Sequence, residues 1–94
     1  MDKKKFRYAI LKEIENGNEC FDETLFEVDE KIFDDNINFL NREGYIIGVC
    51  YYDDRPNLDG EVYLTEKGET FLEENSAWNK IYRGIKEAKS WIFG

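Results

Sequence analysis

The stretch Gly44-Tyr45-Ile46-Ile47-Gly48, followed later by Leu64-Thr65-Glu66-Lys67-Gly68, decides the fold of this chain. A glycine such as Gly44 commonly adopts the left-handed conformation that stops a helix, and apolar strand residues follow it at once. A polar loop and a second short strand come before Thr65, whose hydroxyl is placed to cap a new helix. A helix, a strand, a turn, a strand and a helix in this order predict a winged helix-turn-helix.

Three helices are predicted before this stretch, at about Lys3 to Asn16, at Glu19 to Glu27 and at about Glu30 to Glu43. Apolar residues at three- and four-residue spacing give the first and third helices one buried face each. Asp2 and Asp29 are the expected N-caps of those two helices. The second helix has only one or two turns, with Asp22 near its start.

After Gly44 we expect a strand at Tyr45 to Tyr52, a wing loop at Asp53 to Gly60, a second strand at Glu61 to Leu64, a fourth helix from Thr65 and a fifth at about Ala77 to Phe93. Gly48 in the strand and Gly68 in the fourth helix predict close approach of another backbone. The predicted fold is therefore α+β: a winged helix-turn-helix of three helices and a β-hairpin wing, with two additional C-terminal helices. It forms a single domain over residues 1–94, with the helical extension at about residues 65–93.

The formal charge of −8 is unevenly distributed along the chain. Residues 1–12 carry five basic side chains and one acid, residues 13–74 carry nineteen acids and four basic side chains, and residues 75–94 carry four basic side chains and one acid. The acidic middle is either a soluble surface, a docking surface for a basic protein or a DNA mimic. The basic ends either offset it or form one basic surface able to contact nucleic acid.

The composition argues against catalysis. The chain has no histidine, so it lacks the commonest general base and cannot form a Ser-His or Cys-His nucleophile pair. It has no phosphate-binding loop and no GxGxxG motif. We therefore expect no enzymatic activity, no cofactor and no metal. The catalytic alternative is a carboxylate-only magnesium site built from Asp34, Asp35, Asp53 and Asp54.

The cysteines and the hydropathy indicate a cytoplasmic protein. Cys20 and Cys50 lack CxxC spacing, and no signal peptide precedes them, so we expect two reduced thiols. No apolar run approaches membrane-spanning length, and no membrane partner is expected.

DNA is the partner that this fold first suggests, because helix-turn-helix proteins place the second helix of the motif in the major groove. Here that is the third helix, and Asn38, Asn41 and Arg42 on it are residue types that read base edges. The same face carries acids, and Arg55 stands alone among the acids of the wing, so this surface repels phosphates. We therefore favour an unknown protein partner, with a DNA-binding transcriptional regulator or accessory factor as the alternative.

The predicted fifth helix is a second interaction candidate, because it carries two tryptophans, a residue type enriched at interface hot spots. Its stripe of Trp78, Ile81, Tyr82, Ile85 and Ala88 is expected to pack on the first helix around Phe6, Ile10 and Ile14. The end of this C-terminal helix then offers a homodimer contact. The candidate macromolecule contacts are Asn38, Asn41, Arg42, Arg55, Trp78, Lys80, Arg83 and Trp91.

Several segments of the chain resemble the small YjcQ-type proteins of bacteria and their phages. They include Phe6-Arg7-Tyr8-Ala9-Ile10-Leu11-Lys12-Glu13-Ile14, Phe33-Asp34-Asp35, the run from Asn38 to Val49, Asp53-Asp54-Arg55-Pro56, Leu64-Thr65-Glu66-Lys67-Gly68 and Trp91-Ile92. The resemblance implies a winged-helix fold and a phage or prophage setting, and it carries over no catalytic or binding residues. Because Arg55 and paired acids lie in these segments, we expect a bidentate Arg-carboxylate pair to organise the wing.

Overall fold

The computed structural model describes residues 2–18, 20–80 and 82–83. The helices are α1 (Lys3–Glu15), α2 (Glu23–Phe26), α3 (Glu30–Arg42) and α4 (Glu66–Glu74), and the strands are β1 (Ile46–Ile47), β2 (Cys50–Tyr52), β3 (Arg55–Asn57) and β4 (Tyr63–Leu64). A 3-10 turn, Ser76–Trp78, follows α4, and residues 79–80 and 82–83 are again helical. The predicted α+β class is confirmed.

Short polar side chains start three of the helices. The Asp2 carboxylate accepts from the backbone N–H groups of Lys4 and Lys5, and Thr65 Oγ1 accepts from the Gly68 N–H. The Asp22 carboxylate accepts from both the N–H and the hydroxyl of Thr24, and these bonds lower the pKa of Asp22. Asp29 occupies the N-cap position of α3 without a side-chain cap bond. The starts of α1, α3 and α4 were therefore predicted correctly.

Gly44 and Gly68 have the roles that the sequence predicts. Gly44 ends α3, and Gly68 lets α4 approach another part of the backbone closely. Gly44 follows α3 with a φ of 80°, which is the left-handed conformation. Gly68 is buried, and a Cβ added there would collide with the backbone carbonyl oxygen of Tyr45. The N–H of Thr65 also donates to that carbonyl, at 3.1 Å. The start of α4 is thus held directly against the residue that precedes β1.

The wing differs from its prediction, because one strand divides into two and the expected loop forms a strand. β1 ends just before Gly48, which has a φ of 96° and lies directly against the backbone of Glu61. β1 pairs only with β4, which is shorter than the predicted second strand, whereas β2 pairs with β3. Asp53 and Asp54 both have positive φ, as two-residue hairpin turns require. The chain therefore returns immediately after β2 as β3.

The second helix is also shorter than predicted. It contains only Glu23–Phe26 and ends at Glu27, which has a φ of 55°. Cys20, predicted to be helical, instead forms an isolated antiparallel bridge with Asp59. A bridge to Asp59, two residues after β3 ends, thus replaces the first turn of the expected helix.

The core lies between the helices and the inner side of the strands. Its buried side chains include Phe6, Ile10, Phe26, Phe33, Ile37, Leu40, Ile46 and Leu72. The Phe6 and Phe26 rings meet edge to face at 5.2 Å. In the part of the chain that the structure describes, no helix has the length and hydrophobicity needed to cross a membrane.

The segment after α4 packs on α1, as predicted for Trp78 and Tyr82. The half-buried Trp78 ring contacts the rings of Tyr8 and Phe71. Tyr82 is 4% exposed, and its hydroxyl binds the carboxylate of Glu13, itself 1% exposed. The prediction did not include this pair, because it assigned the contact surface of helix one to apolar residues alone. Ile81, Ile85, Ala88 and Trp91, and the rest of the predicted fifth helix beyond residue 83, lie outside the described residues.

Candidate functional site

The residues predicted to read DNA, Asn38, Asn41 and Arg42, lie on α3, and we define the outer stripe of this helix as Asp34, Asn38 and Asn41. These positions are four and three residues apart, so they lie along one line of the helix surface. The hairpin formed by β2 and β3 contacts this stripe at two places. Arg55 binds Asp34 nearer the N-terminus of α3, and Tyr51 binds Asn38 nearer its C-terminus. The outer stripe is therefore engaged in an intramolecular contact with the hairpin.

Arg55 and Asp34 form the bidentate pair that the sequence predicts. Arg55 Nε donates to Asp34 Oδ2 at 2.8 Å, and Arg55 Nη2 donates to Asp34 Oδ1 at 2.9 Å. Glu23 and Glu30 approach the same guanidinium at 3.4 and 3.2 Å. The hydrogen bonds to Asp34 raise the pKa of Arg55, which stays charged at every physiological pH. This cation links the hairpin to both α2 and α3.

Tyr51 joins the hairpin to the two asparagines of the outer stripe. Its hydroxyl donates to Asn38 Oδ1 at 2.8 Å and accepts from Asn41 Nδ2 at 3.4 Å. An asparagine that reads adenine uses both its amide oxygen and its amide nitrogen. The amide oxygen of Asn38 and the amide nitrogen of Asn41 are thus already hydrogen-bonded to Tyr51. Sequence reasoning missed Tyr51, because its partners in α3 lie 10 and 13 residues away along the chain.

The other candidate contacts have different environments. Arg42 is largely exposed, and its Nε lies 3.2 Å from Glu43 Oε2. Trp78 is half-buried between two aromatic rings, so most of its surface serves the core. Lys80 and Arg83 are exposed. Trp91 lies outside the described residues.

An exposed apolar pair marks the outer face of the sheet. Ile47 of β1 and Tyr63 of β4 stand directly opposite each other, and they are 56% and 58% exposed. Tyr52 of the hairpin is 55% exposed, and its hydroxyl lies 3.5 Å from Asp59 Oδ2. We define the sheet surface as Ile47 and Tyr63 of the β1–β4 sheet. Exposed acids border it in the sequence: Asp53, Asp54, Asp59 and Glu61.

The carboxylates considered for magnesium do not converge. Asp34 is bound to Arg55, and Asp35 lies 2.9 Å from Lys31 Nζ. Asp53 and Asp54 form the turn of the hairpin. Among residues 2–18, 20–80 and 82–83, no three Cys, Asp or Glu side chains are grouped as metal ligands. The described geometry therefore offers no carboxylate ligand set.

Comparisons with known proteins agree with one another. A family model described as "YjcQ protein" matches residues 7–91. A Bacillus subtilis (strain 168) protein described as "Uncharacterized protein YjcQ" is 58% identical over 93 residues, covering 98% of this chain and 99% of that protein. The solution NMR structure of the YjcQ protein from Bacillus subtilis is 59% identical with a TM-score of 0.71, and the match covers 77% of this chain and 94% of that chain. The resemblance predicted from the sequence is confirmed.

Proposed function

This chain belongs to the YjcQ protein family, and from that premise we propose that it is a winged-helix protein that acts by binding another protein and not by catalysis. The observation that carries the proposal is the hairpin lying over the outer stripe of α3. A DNA-reading helix needs that stripe free to enter the major groove. Here Arg55 and Tyr51 bind it from within the same chain. The phage or prophage setting and the cytoplasmic location remain predictions.

The sheet surface is the contact region that we assign to the partner. Monomeric proteins expose single apolar residues commonly, but Ile47 and Tyr63 face each other across two paired strands. Tyrosine is enriched among residues that dominate binding energy. The surrounding acids have only Arg55 as a basic neighbour between residues 46 and 64, and Arg55 is bound to Asp34. The partner that fits is a basic protein segment with apolar side chains.

A quantitative capture experiment tests this assignment. The full chain is used as bait in a nuclease-treated cytoplasmic extract, the captured protein is identified by mass spectrometry, and its affinity is measured with purified components. Tyr63→Ala should weaken binding by about thirtyfold or more, because hot-spot truncations cost at least about 2 kcal/mol. Glu73→Ala, at an exposed site on α4, is the control and should bind normally. Equal binding by Tyr63→Ala and wild type would remove the sheet surface from the interface.

The DNA alternative has its own measurement. Duplex DNA is titrated at about 50 mM salt, a condition that favours phosphate contacts. We expect weak binding or none through α3. Tight, sequence-specific binding that disappears in Asn41→Ala or Arg42→Ala would contradict the proposal, since those residues would then have to leave their internal partners to read bases.

A further inference from the structure

An open cleft of about 450 Å³, which we call the α2 cleft, lies where the chain leaves α1 and enters α2. Phe21, Leu25 and Leu58 give it an apolar lining, and Phe21 and Leu25 are only half-buried. Its volume falls within the range of roughly 300–1,000 Å³ that is typical of ligand pockets. Bulky apolar side chains would gain free energy by entering the α2 cleft, because part of its apolar lining still faces solvent.

The charge of the α2 cleft is negative. Asp22 and Asp59 line it, whereas no lysine or arginine does so in the part of the chain that the structure describes. The Asp22 carboxylate accepts hydrogen bonds from the N–H and the hydroxyl of Thr24, which fix its orientation. Neither Asp22 nor Asp59 forms an ion pair with another described residue. The cleft therefore suits an occupant that combines apolar side chains with positive charge.

The segment after α4 advances along α1 toward this cleft. The Trp78 ring contacts the ring of Tyr8, in the middle of α1. Four residues later, the Tyr82 hydroxyl binds Glu13 and accepts from Asn16 Nδ2, both near the C-terminal end of α1. The segment thus runs in the same direction as α1, and the α2 cleft lies just beyond the end of that helix.

One carboxylate joins the end of the described chain to the wall of the cleft. Glu13 Oε2 binds the Tyr82 hydroxyl, and Glu13 Oε1 accepts from Asn18 Nδ2 at 2.9 Å. Asn18 is itself a lining residue of the α2 cleft. Residues 84–94 therefore start close to the cleft, because residue 83 directly follows Tyr82.

The composition of residues 84–94 matches what the α2 cleft requires. They contain Lys86 and Lys89 against one acid, Glu87. Trp91 follows residue 83 by eight positions, which span about 12 Å in a helix and more in an extended chain. The segment carries three consecutive bulky apolar residues: Trp91, Ile92 and Phe93.

We propose that residues 84–94 dock in the α2 cleft of the same molecule. Trp91 and its apolar neighbours cover Phe21 and Leu25, and the two lysines of the segment face Asp22 and Asp59. The docked segment closes this cleft to other molecules and leaves the sheet surface free. The proposal is independent of the partner contact at the sheet surface, because the two regions have no residue in common. A second copy of the chain is the competing occupant, and the first experiment separates the two.

The first experiment measures NMR distance contacts in the full chain. Nuclear Overhauser effects are recorded between the Trp91 ring and the methyl groups of Leu25 and Leu58. A mixture of labelled and unlabelled chains distinguishes contacts within one molecule from contacts between two copies. We expect contacts from Trp91 to both leucines within one molecule. Contacts only between copies, or no contact between Trp91 and the cleft, would overturn the proposal.

The second experiment uses the two cysteines, because Cys20 lines the α2 cleft whereas Cys50 lies in β2. In a Cys50→Ser background, the reaction rate of the Cys20 thiol with an aromatic disulfide reagent is compared with and without Trp91→Ala. We expect Trp91→Ala to raise this rate by about tenfold or more, because truncating an aromatic anchor weakens docking by at least that factor.

The matched control is Trp91→Ala in a Cys20→Ser background, where the Cys50 thiol should react at an unchanged rate. An unchanged rate for Cys20 would contradict docking in the α2 cleft. If Trp91→Ala accelerated both thiols equally, the substitution would have loosened the whole fold, and the NMR contacts of the unaltered chain would then decide.

Discussion

Removing one oxygen atom from the junction between α1 and the C-terminal segment should destabilise the protein measurably. In Tyr82→Phe the ring remains, but the buried Glu13 carboxylate loses the hydroxyl that binds it. Glu13 keeps a bond from Asn18 Nδ2 at 2.9 Å, while Asn16 Nδ2 loses the acceptor that it reaches at 3.2 Å. A hydrogen bond to a charged group contributes about 1.5–3 kcal/mol, so we expect a loss of that size. For a domain of this length the melting temperature should fall by on the order of 10 °C.

The assay is urea unfolding followed by circular dichroism, with the free energy of unfolding compared between variants. Tyr63→Phe is the matched control, because Tyr63 is 58% exposed and should change the free energy by less than about 0.5 kcal/mol. A second cycle in a Glu13→Gln background should show a smaller cost for Tyr82→Phe, since the remaining bond joins two neutral groups and contributes about 0.5–1.5 kcal/mol. If Tyr82→Phe is as stable as Tyr63→Phe, the segment after α4 does not dock on α1 through Glu13.

Three further outcomes follow from the same structure. Gly68→Ala should lower the free energy of unfolding by about 1–3 kcal/mol despite the better helix propensity of alanine, because its Cβ would collide with the Tyr45 carbonyl oxygen. Urea unfolding measures this loss, and an increase in stability would contradict the close approach of the two backbones. Gly44→Ala should lower the free energy of unfolding by about 1–2 kcal/mol, because alanine disfavours the left-handed backbone although its Cβ would meet no other atom. An unchanged free energy in the same assay would contradict the φ of 80° at Gly44. Burial raises the pKa of Tyr82 in the folded protein, so the contribution of this side chain to stability is complete below its pKa in the unfolded chain, about 10. The contribution is lost as the pH rises toward the pKa in the folded protein. In alkaline unfolding, Tyr82→Phe should not show this loss of stability.

The starts of α1 and α4 and the end of α3 could be predicted because they depend on neighbouring residues. Asp2 and Thr65 cap helices with side chains that reach only two or three residues along the chain. Gly44 takes the left-handed conformation directly after α3 for the same local reason. The close approach at Gly68 was also predictable, because a glycine inside a helix needs compensation. Its partner, Tyr45, lies more than twenty residues away and could not be named.

The hairpin could not be predicted because its causes are non-local. Gly48 indicated a close backbone contact, but only the fold brings Glu61 to it and ends β1 there. Asp53 and Asp54 looked like ordinary loop residues, although aspartate tolerates positive φ more readily than most residues. Together these features change a long strand and a loop into two pairs of short strands. The prediction that Arg55 pairs with a carboxylate was right, since a lone arginine among acids requires a partner, but the choice of Asp34 depends on where the hairpin folds.

The position of Asp34 changes how the charge of α3 should be interpreted. Counted along the sequence, Asp34 is a reason for α3 to repel DNA. In the structure, its carboxylate is bound by Arg55, so much of that negative charge is offset within the molecule. The stronger argument against DNA is therefore the hairpin itself. If it moved away from the outer stripe, Asp34 would be uncovered beside any entering phosphate, and Asn38 and Asn41 would lose Tyr51. DNA binding by α3 would have to offset both losses before gaining a base contact, whereas a protein that binds the sheet surface leaves these internal bonds intact.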